Sequence, residues 1–197
     1  MSGIWPSTIP SGWPGLTFML KFVVRGTPND KSLITIAEGP SSSAKGAFNV
    51  AFNGSGNLTI NHKRTSSGAD ATKTFAQGSV YQLNQFLTLM VHVDADGTTP
   101  RLNKVMLFDT ATGALLGEDS DTGSGSVVAL ANPKLYVGYG DLDGAANYSF
   151  PLSSFLKNVD IAEIAIFGPM TPNQMQLVAR SNLEEVGYKS GFNNRPV

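Results

Sequence analysis

The residues of this chain best equipped for chemistry are acidic pairs set beside glycine. They are Asp94-Ala95-Asp96-Gly97, Asp141-Leu142-Asp143-Gly144, and the run Glu118-Asp119-Ser120-Asp121. A hard cation such as calcium takes six to eight oxygen ligands, and carboxylates at alternate positions are the ligand type it needs. Neither Asp-x-Asp-Gly run continues into an EF-hand loop, because Val105 and Leu152 stand at the twelfth positions where a glutamate is required. Asp-Gly is also ordinary turn chemistry. Turns are therefore expected, and no cofactor; calcium at Asp94, Asp96, Asp141 and Asp143 is the alternative that these oxygens leave open.

Glycoside hydrolysis needs two carboxyl groups roughly 5–9 Å apart across a cleft. Glu118 and Asp119 are expected in a Gly/Ser loop running to Ser126, without a strand to fix them. Asp160 and Glu163 fall in a strand but three residues apart, which predicts opposite faces. Neither gives a catalytic pair. His62 and His92 have no partners at metal-ligand spacing and are expected as polar strand-face or loop residues. Gly123-Ser124-Gly125-Ser126 is a flexible loop rather than a nucleophile elbow between a strand and a helix. With zero cysteines there is neither a thiolate metal site nor a disulfide framework. The expectation is a protein that is not an enzyme.

Binding without catalysis is better provided for. Tyr139, Asp141, Asp143, Asn147 and Tyr148 lie within ten residues and combine aromatic faces for sugar stacking with acid and amide groups. The competing reading is a loop whose tyrosines cover an edge of the fold. The two tryptophans, Trp5 and Trp13, both lie in a Pro/Ser-rich segment expected to be extended. Residues 1–15 then form an arm that packs on a neighbouring subunit or ligand, or one that covers its own sheet.

Thr17 to Arg25 alternates, with Phe18, Leu20, Phe22 and Val24 on one face, which predicts a half-exposed antiparallel strand. Leu33 to Ala37 is the next strand. Phe48 to Phe52 and Leu58 to Ile60 flank a Gly-rich turn and form a hairpin. His62 to Lys73 is expected as a surface loop. The longest strand places Leu87, Leu89, Val91 and Val93 on one face and Thr88, Met90 and His92 on the other. Asp94 to Gly97 turns it back towards Lys104–Phe108, and Asp109 to Gly113 is a second turn. Lys134 to Tyr139 is a later strand. Asn158 to Phe167 is apolar enough to be a strand buried on both faces or nearly so, and Gly168-Pro169 ends it. Thr171, Pro172 and Gln174 spell a helix N-terminus with a capping box, and Met175, Val178 and Ala179 give that helix an apolar stripe.

Composition agrees with many short strands joined by turns. Charged residues make up 15% of the chain against about 25% in typical globular domains, and there are 21 glycines and 11 prolines. A net charge of −1 argues against a nucleic-acid partner, whose affinity rests on phosphate neutralisation. There is no basic amphipathic segment for a membrane surface, and no run of about 18 apolar residues. Met1 to Leu20 lacks the plan of a signal peptide.

Ile161 to Phe167, the Gly168-Pro169 stop and Met170 to Met175 resemble the C-terminal signature of laminin-G-like domains, part of the concanavalin A-like jelly-roll group. There, a strand of the type Ile-Asp-Glu-Val-x-Ile-Tyr leads into a Leu-Ser-x-x-Glu-Ile helix. The Asp94–Gly97 and Asp109–Gly113 turns and Lys134-Leu135-Tyr136-Val137-Gly138 resemble further parts of the pattern. The matches spread from Thr17 to Val178. Two positions depart: Ala162 stands where Asp is common, and Phe167 where Tyr is. The resemblance implies an all-β, antiparallel two-sheet β-sandwich, a concanavalin A-like jelly roll, with one short C-terminal helix. It would span residues 16–186 between the arm and a tail at 187–197.

Domains of this kind often bind calcium or glycan at the sandwich rim. The group is common in secreted proteins, yet this chain has neither leader nor disulfide. A virion protein made in the host cytoplasm reconciles the two. The expectation is a virion surface component, a bacteriophage capsid-decoration or fibre module. Its arm would contact other copies of itself or capsid and fibre proteins, and its rim loops a cell-surface glycan. A stand-alone carbohydrate-binding lectin is the alternative, and a hydrolase a more distant one.

Overall fold

The computed structural model describes residues 15–28, 32–37, 46–62, 71–96, 99–120, 134–138 and 156–181. Ten strands are defined: β1 (Gly15–Val24), β2 (Ser32–Ala37), β3 (Gly46–Phe52), β4 (Leu58–His62), β5 (Ala71–Phe75), β6 (Phe86–Asp96), β7 (Thr99–Asp109), β8 (Leu115–Ser120), β9 (Lys134–Val137) and β10 (Val159–Phe167). One helix, α1, covers 172–181. All strand pairings within the sheets are antiparallel, and the strands form two five-stranded sheets, β10-β1-β6-β7-β8 and β5-β4-β3-β2-β9. The chain is an all-β sandwich with one short helix, as its alternating patterns and turn residues predict. No described helix is long and apolar enough to cross a membrane.

Period-2 alternation sends one face of each strand into the space between the sheets. Phe18, Leu20, Phe22 and Val24 of β1 meet Leu87, Leu89, Val91 and Val93 of β6 and Val105 and Leu107 of β7 there. Leu33, Ile34, Val50, Phe52, Leu58, Ile60 and Phe75 enter from the other sheet. Phe22 and Phe52 cross the gap edge to face, with ring centroids 6.3 Å apart, worth about 0.5–1.5 kcal/mol beyond the area they bury. Tyr81 is buried too, and its hydroxyl donates to the Gly56 carbonyl, tying the approach to β6 onto the β3–β4 turn. Burial raises the pKa of that phenol, so it stays a protonated donor.

A second apolar layer lies on the opposite face of the β10-β1-β6-β7-β8 sheet. Met19, Met90, Met106 and Phe108 from the strands pack against Met175 and Ala179 of α1, with Ala165, Phe167, Met170 and Val178 at the margin. The helix starts as its sequence dictates. The Thr171 N–H donates to Gln174 Oε1 (2.8 Å) and the Gln174 N–H to Thr171 Oγ1 (3.3 Å), a reciprocal capping box.

Two burial expectations are reversed. β1 is not half-exposed: Thr17, Met19 and Lys21 on its polar-looking face are all buried. It lies between β10 and β6, and the methionine layer under α1 adjoins that face. β10 is not buried on both faces; it ends its sheet with mostly intermediate and exposed residues.

Strand limits differ as well. Asp94 and Asp96 belong to the β6 ladder opposite Arg101 and Thr99 rather than to a turn, and β7 begins five residues before Lys104. Glu118 and Asp119 lie in β8 rather than in a loop. β5, Ala71–Phe75, takes residues 71–73 out of the stretch expected as loop.

Candidate functional site

β1 ends at Val24, opposite Val159 where β10 begins and close to Phe86 where β6 begins. The chain leaving β1 approaches the β3–β4 turn, with the Pro28 ring near Gly56. β9 closes at Gly138, whose φ of +66° suits a residue without a side chain. The Gly138 N–H donates to the Leu33 carbonyl (2.9 Å), and the Leu156 N–H donates to the Gly138 carbonyl (3.1 Å). Residues 138 and 156, which flank the segment 139–155, therefore meet at one point. Tyr139, Asp141, Asp143, Asn147 and Tyr148, the sequence candidates for ligand binding, lie in that segment and outside the described residues. So do Trp5 and Trp13 of the arm.

The end of the sandwich around this meeting point is built from polar groups held in place. Asn158, at φ 60°, donates through its side chain to the Thr27 carbonyl (2.9 Å), while its own carbonyl accepts from the Arg25 N–H (2.7 Å). Arg25 Nε lies 2.6 Å from Asp160 Oδ2, both side chains exposed. Asn84, at φ 62°, donates its N–H to the Val24 carbonyl (2.8 Å). Gln85 Nε2 donates to Asp109 Oδ2 (2.6 Å), and Asp109 Oδ1 accepts from the Thr112 N–H and hydroxyl. Burial works to raise the Asp109 pKa, but hydrogen bonds from Gln85, Thr112 and the Ala111 N–H outweigh it and hold the group below the ordinary carboxylate value. Amides, a guanidinium and two carboxylates thus stand at this end of the described sandwich, held by these bonds.

The acidic pairs are not brought together by the described structure. Asp94 and Asp96 close β6 at the far end of its sheet, where Asp94 stands opposite Gly15 at the start of β1. Residues 138 and 156, which flank the segment carrying Asp141 and Asp143, lie at the other end. Among the described residues no three His, Asp or Glu side chains are grouped as a metal would need.

The carboxylates weighed for hydrolysis are engaged in ion pairs. Glu118 Oε2 is 2.8 Å from Lys104 Nζ, and Asp119 Oδ1 is 3.9 Å from Lys73 Nζ on the opposing sheet. Asp160 and Glu163 share one face, contrary to the three-residue spacing rule. Glu163 is opposite Lys21 and Asp160 opposite Val23, and the ladder shifts between Lys21 and Phe22. The β-bulge absorbs one residue and so restores the two to the same side. Glu163 pairs with Lys21 at 2.6 Å and Asp160 with Arg25.

His92 is buried on the α1 side of β6, its Nδ1 3.0 Å from the Thr17 hydroxyl. With Lys104 it faces a cleft of about 310 Å³ whose other lining residues are Pro169, Met170, Thr171, Pro172 and Gln174. His62 closes β4, between Phe48 and Ala71 in the ladder. Sequence reasoning missed the methionine layer and the buried Lys21. The available signal was methionine in the polar phase of three strands, at Met19, Met90 and Met106.

Two packed five-stranded antiparallel sheets make this an all-β sandwich. No family model matches the chain, and no curated protein matches it by sequence. Solved structures do match in fold. The carbohydrate-binding module CBM40 of the Ruminococcus gnavus IT-sialidase, bound to α2,3-sialyllactose, aligns at a TM-score of 0.50 and 12% identity, covering 85% of this chain and 83% of that one. The K499G mutant of the NanB sialidase from Streptococcus pneumoniae aligns at 0.52 and 15%, covering 84% of this chain and 24% of that one. Tailspike protein 2 of Escherichia coli O157:H7 bacteriophage CAB120 aligns at 0.51 and 11%, over 83% and 21%.

Proposed function

We propose that this chain is a non-enzymatic, glycan-binding β-sandwich that serves as a virion surface module. Its ligand end is the one at which residues 138 and 156 meet. The observation that carries the reading is the likeness, over most of both chains, to a module whose structure holds sialyllactose. The ion-paired carboxylates support binding rather than hydrolysis. The tailspike likeness, which takes up about a fifth of that protein, supports a place in a larger viral assembly. In this reading Tyr139 and Tyr148 stack on sugar, while Asp141, Asp143 and Asn147 accept from and donate to its hydroxyls. The laminin-G-like kinship and a calcium ion at Asp141 and Asp143 belong to the same proposal.

A glycan array on the full chain, followed by titration calorimetry with the best binder and with α2,3-sialyllactose, tests it. Replacing Tyr139 or Tyr148 by alanine should weaken binding about tenfold or more, equivalent to about 1.4 kcal/mol. Sialyllactose should come through intact. An array without binders, or binding untouched by either substitution, overturns the proposed site. Light scattering on the full chain and on a chain starting at Leu16 tests the arm. Oligomers lost on truncation support assembly through Trp5 and Trp13, whereas monomers in both favour the stand-alone lectin.

A further inference from the structure

The chain has six methionines, and the five among the described residues lie at one place. Met19, Met90 and Met106 are side by side across β1, β6 and β7, as register partners in the ladders. Met175 packs on them from α1, and all four are at most 1% exposed. Met170 differs. It is half-buried at the margin of the layer and lines the open cleft formed with His92, Lys104 and the first turn of α1.

Its position in the helix start also matters. With Thr171 as N-cap, Met170 is the residue before the cap and Met175 the fourth helical residue. These two positions form a hydrophobic staple. The staple sets the angle at which the chain enters the helix, and here both of its members pack into the same apolar cluster.

We propose that Met170 is an oxidation site, and that its conversion to the sulfoxide gates oxidation of the four methionines beneath α1. The oxidant is a hydroperoxide reaching the cleft. A lone pair of the thioether sulfur attacks one peroxide oxygen, the S–O bond forms as the O–O bond breaks, and the departing oxygen leaves as water or alcohol after taking up a proton. Sulfur is oxidised and the peroxide reduced, with no further reactant. The sulfoxide is polar and seeks a hydrogen-bond donor, so it leaves the apolar margin for the cleft and the staple opens. The first turn of α1 then lifts more often, and Met19, Met90, Met106 and Met175 become reachable through that opening.

The test exposes the full chain to hydrogen peroxide and follows each methionine by peptide mass spectrometry, with hydrogen exchange of 172–181 measured alongside. Met170 sulfoxide should appear before sulfoxide at the four buried sites. Molecules oxidised at Met170 alone should exchange faster through the first turn of α1. Met170→Leu conserves volume and cannot be oxidised at that position. It should slow oxidation of the four buried sites about tenfold, as a closed equilibrium shifted by about 1.4 kcal/mol would. Buried sites oxidising as fast as Met170, or at the same rate in Met170→Leu, would overturn the proposal. Exchange in α1 unchanged by Met170 sulfoxide would do so independently of the variant.

Discussion

Lys21 offers the sharpest test of how this sandwich tolerates charge. Its side chain is 7% exposed, and its ion-pair partner Glu163, 2.6 Å away on the edge strand, is 45% exposed. Taking an ammonium out of water costs several kcal/mol, which attraction to a partner offsets only in part. The two ends of the pair should therefore respond unequally. Glu163→Gln leaves the ammonium buried beside an amide. For a fully buried pair the loss is about 3–5 kcal/mol, and the solvent already at Glu163 reduces it here to about 1–2 kcal/mol. Lys21→Met removes the charge, keeps the volume and leaves Glu163 free to turn into solvent; it should be neutral or stabilising.

Urea unfolding resolves the two. With a slope of about 2 kcal/mol per molar, Glu163→Gln should lower the midpoint by roughly 0.5–1 M while Lys21→Met leaves it unchanged or raises it. The double variant should match Lys21→Met within about 0.5 kcal/mol, because Glu163 has nothing left to compensate. Equal losses in the two single variants would show that attraction outweighs desolvation at this site, and the reasoning would fall.

Three further outcomes are expected. Tyr81→Phe strands the Gly56 carbonyl and should cost about 1–3 kcal/mol, with faster hydrogen exchange at the Asn53–Asn57 turn; a neutral result would mean that water replaces the hydroxyl. Thr171→Ala removes the N-cap and should cost about 1 kcal/mol in thermal unfolding, with exchange rising first in the opening turn of α1. Asp109 has its folded-state pKa depressed, so its contribution is present above the ordinary carboxylate pKa and lost as pH falls through the lower folded value. Asp109→Asn should therefore flatten the fall of Tm below about pH 4, and an unchanged slope in acid would count against the hydrogen-bond account.

Local chemistry was the legible part of the sequence. Thr171 and Gln174 specified the helix start, Asn53 to Asn57 the hairpin turn, and alternation along β6 which side chains enter the core. What α1 covers was not legible, because helix docking is a tertiary event and Thr17, Met19 and Lys21 read locally as a wet face. The bulge at Ala162 carries no glycine to announce it, so counting by twos put Asp160 and Glu163 on the wrong sides. Arg101 and Asn103 read as loop, yet β7 extends through them because the ladder with β6 continues to Asp96 opposite Thr99. Of the candidate site, the described part is its root at Gly138 and Leu156, whose pairing depends on a backbone contact with Leu33 that no local pattern encodes.

The reversed burial of β1 and β10 has one cause with a consequence for assembly. Only residues 168–171 join β10 to α1, so the helix turns back onto the outer face of its own sheet, where it meets β1, β6 and β7. β10 is left at one end of that sheet and β8 at the other. Each of these strands carries a bulge, at Ala162 and Leu116, and charged side chains, Asp160 and Glu163 on one and Glu118 and Asp119 on the other. Bulges and edge charges oppose the addition of a further strand. Strand addition is therefore disfavoured at both edges of the helix-bearing sheet. On the proposed reading, recognition uses the polar end at Arg25, Asn84, Asn158 and Asp109, the end at which residues 138 and 156 meet.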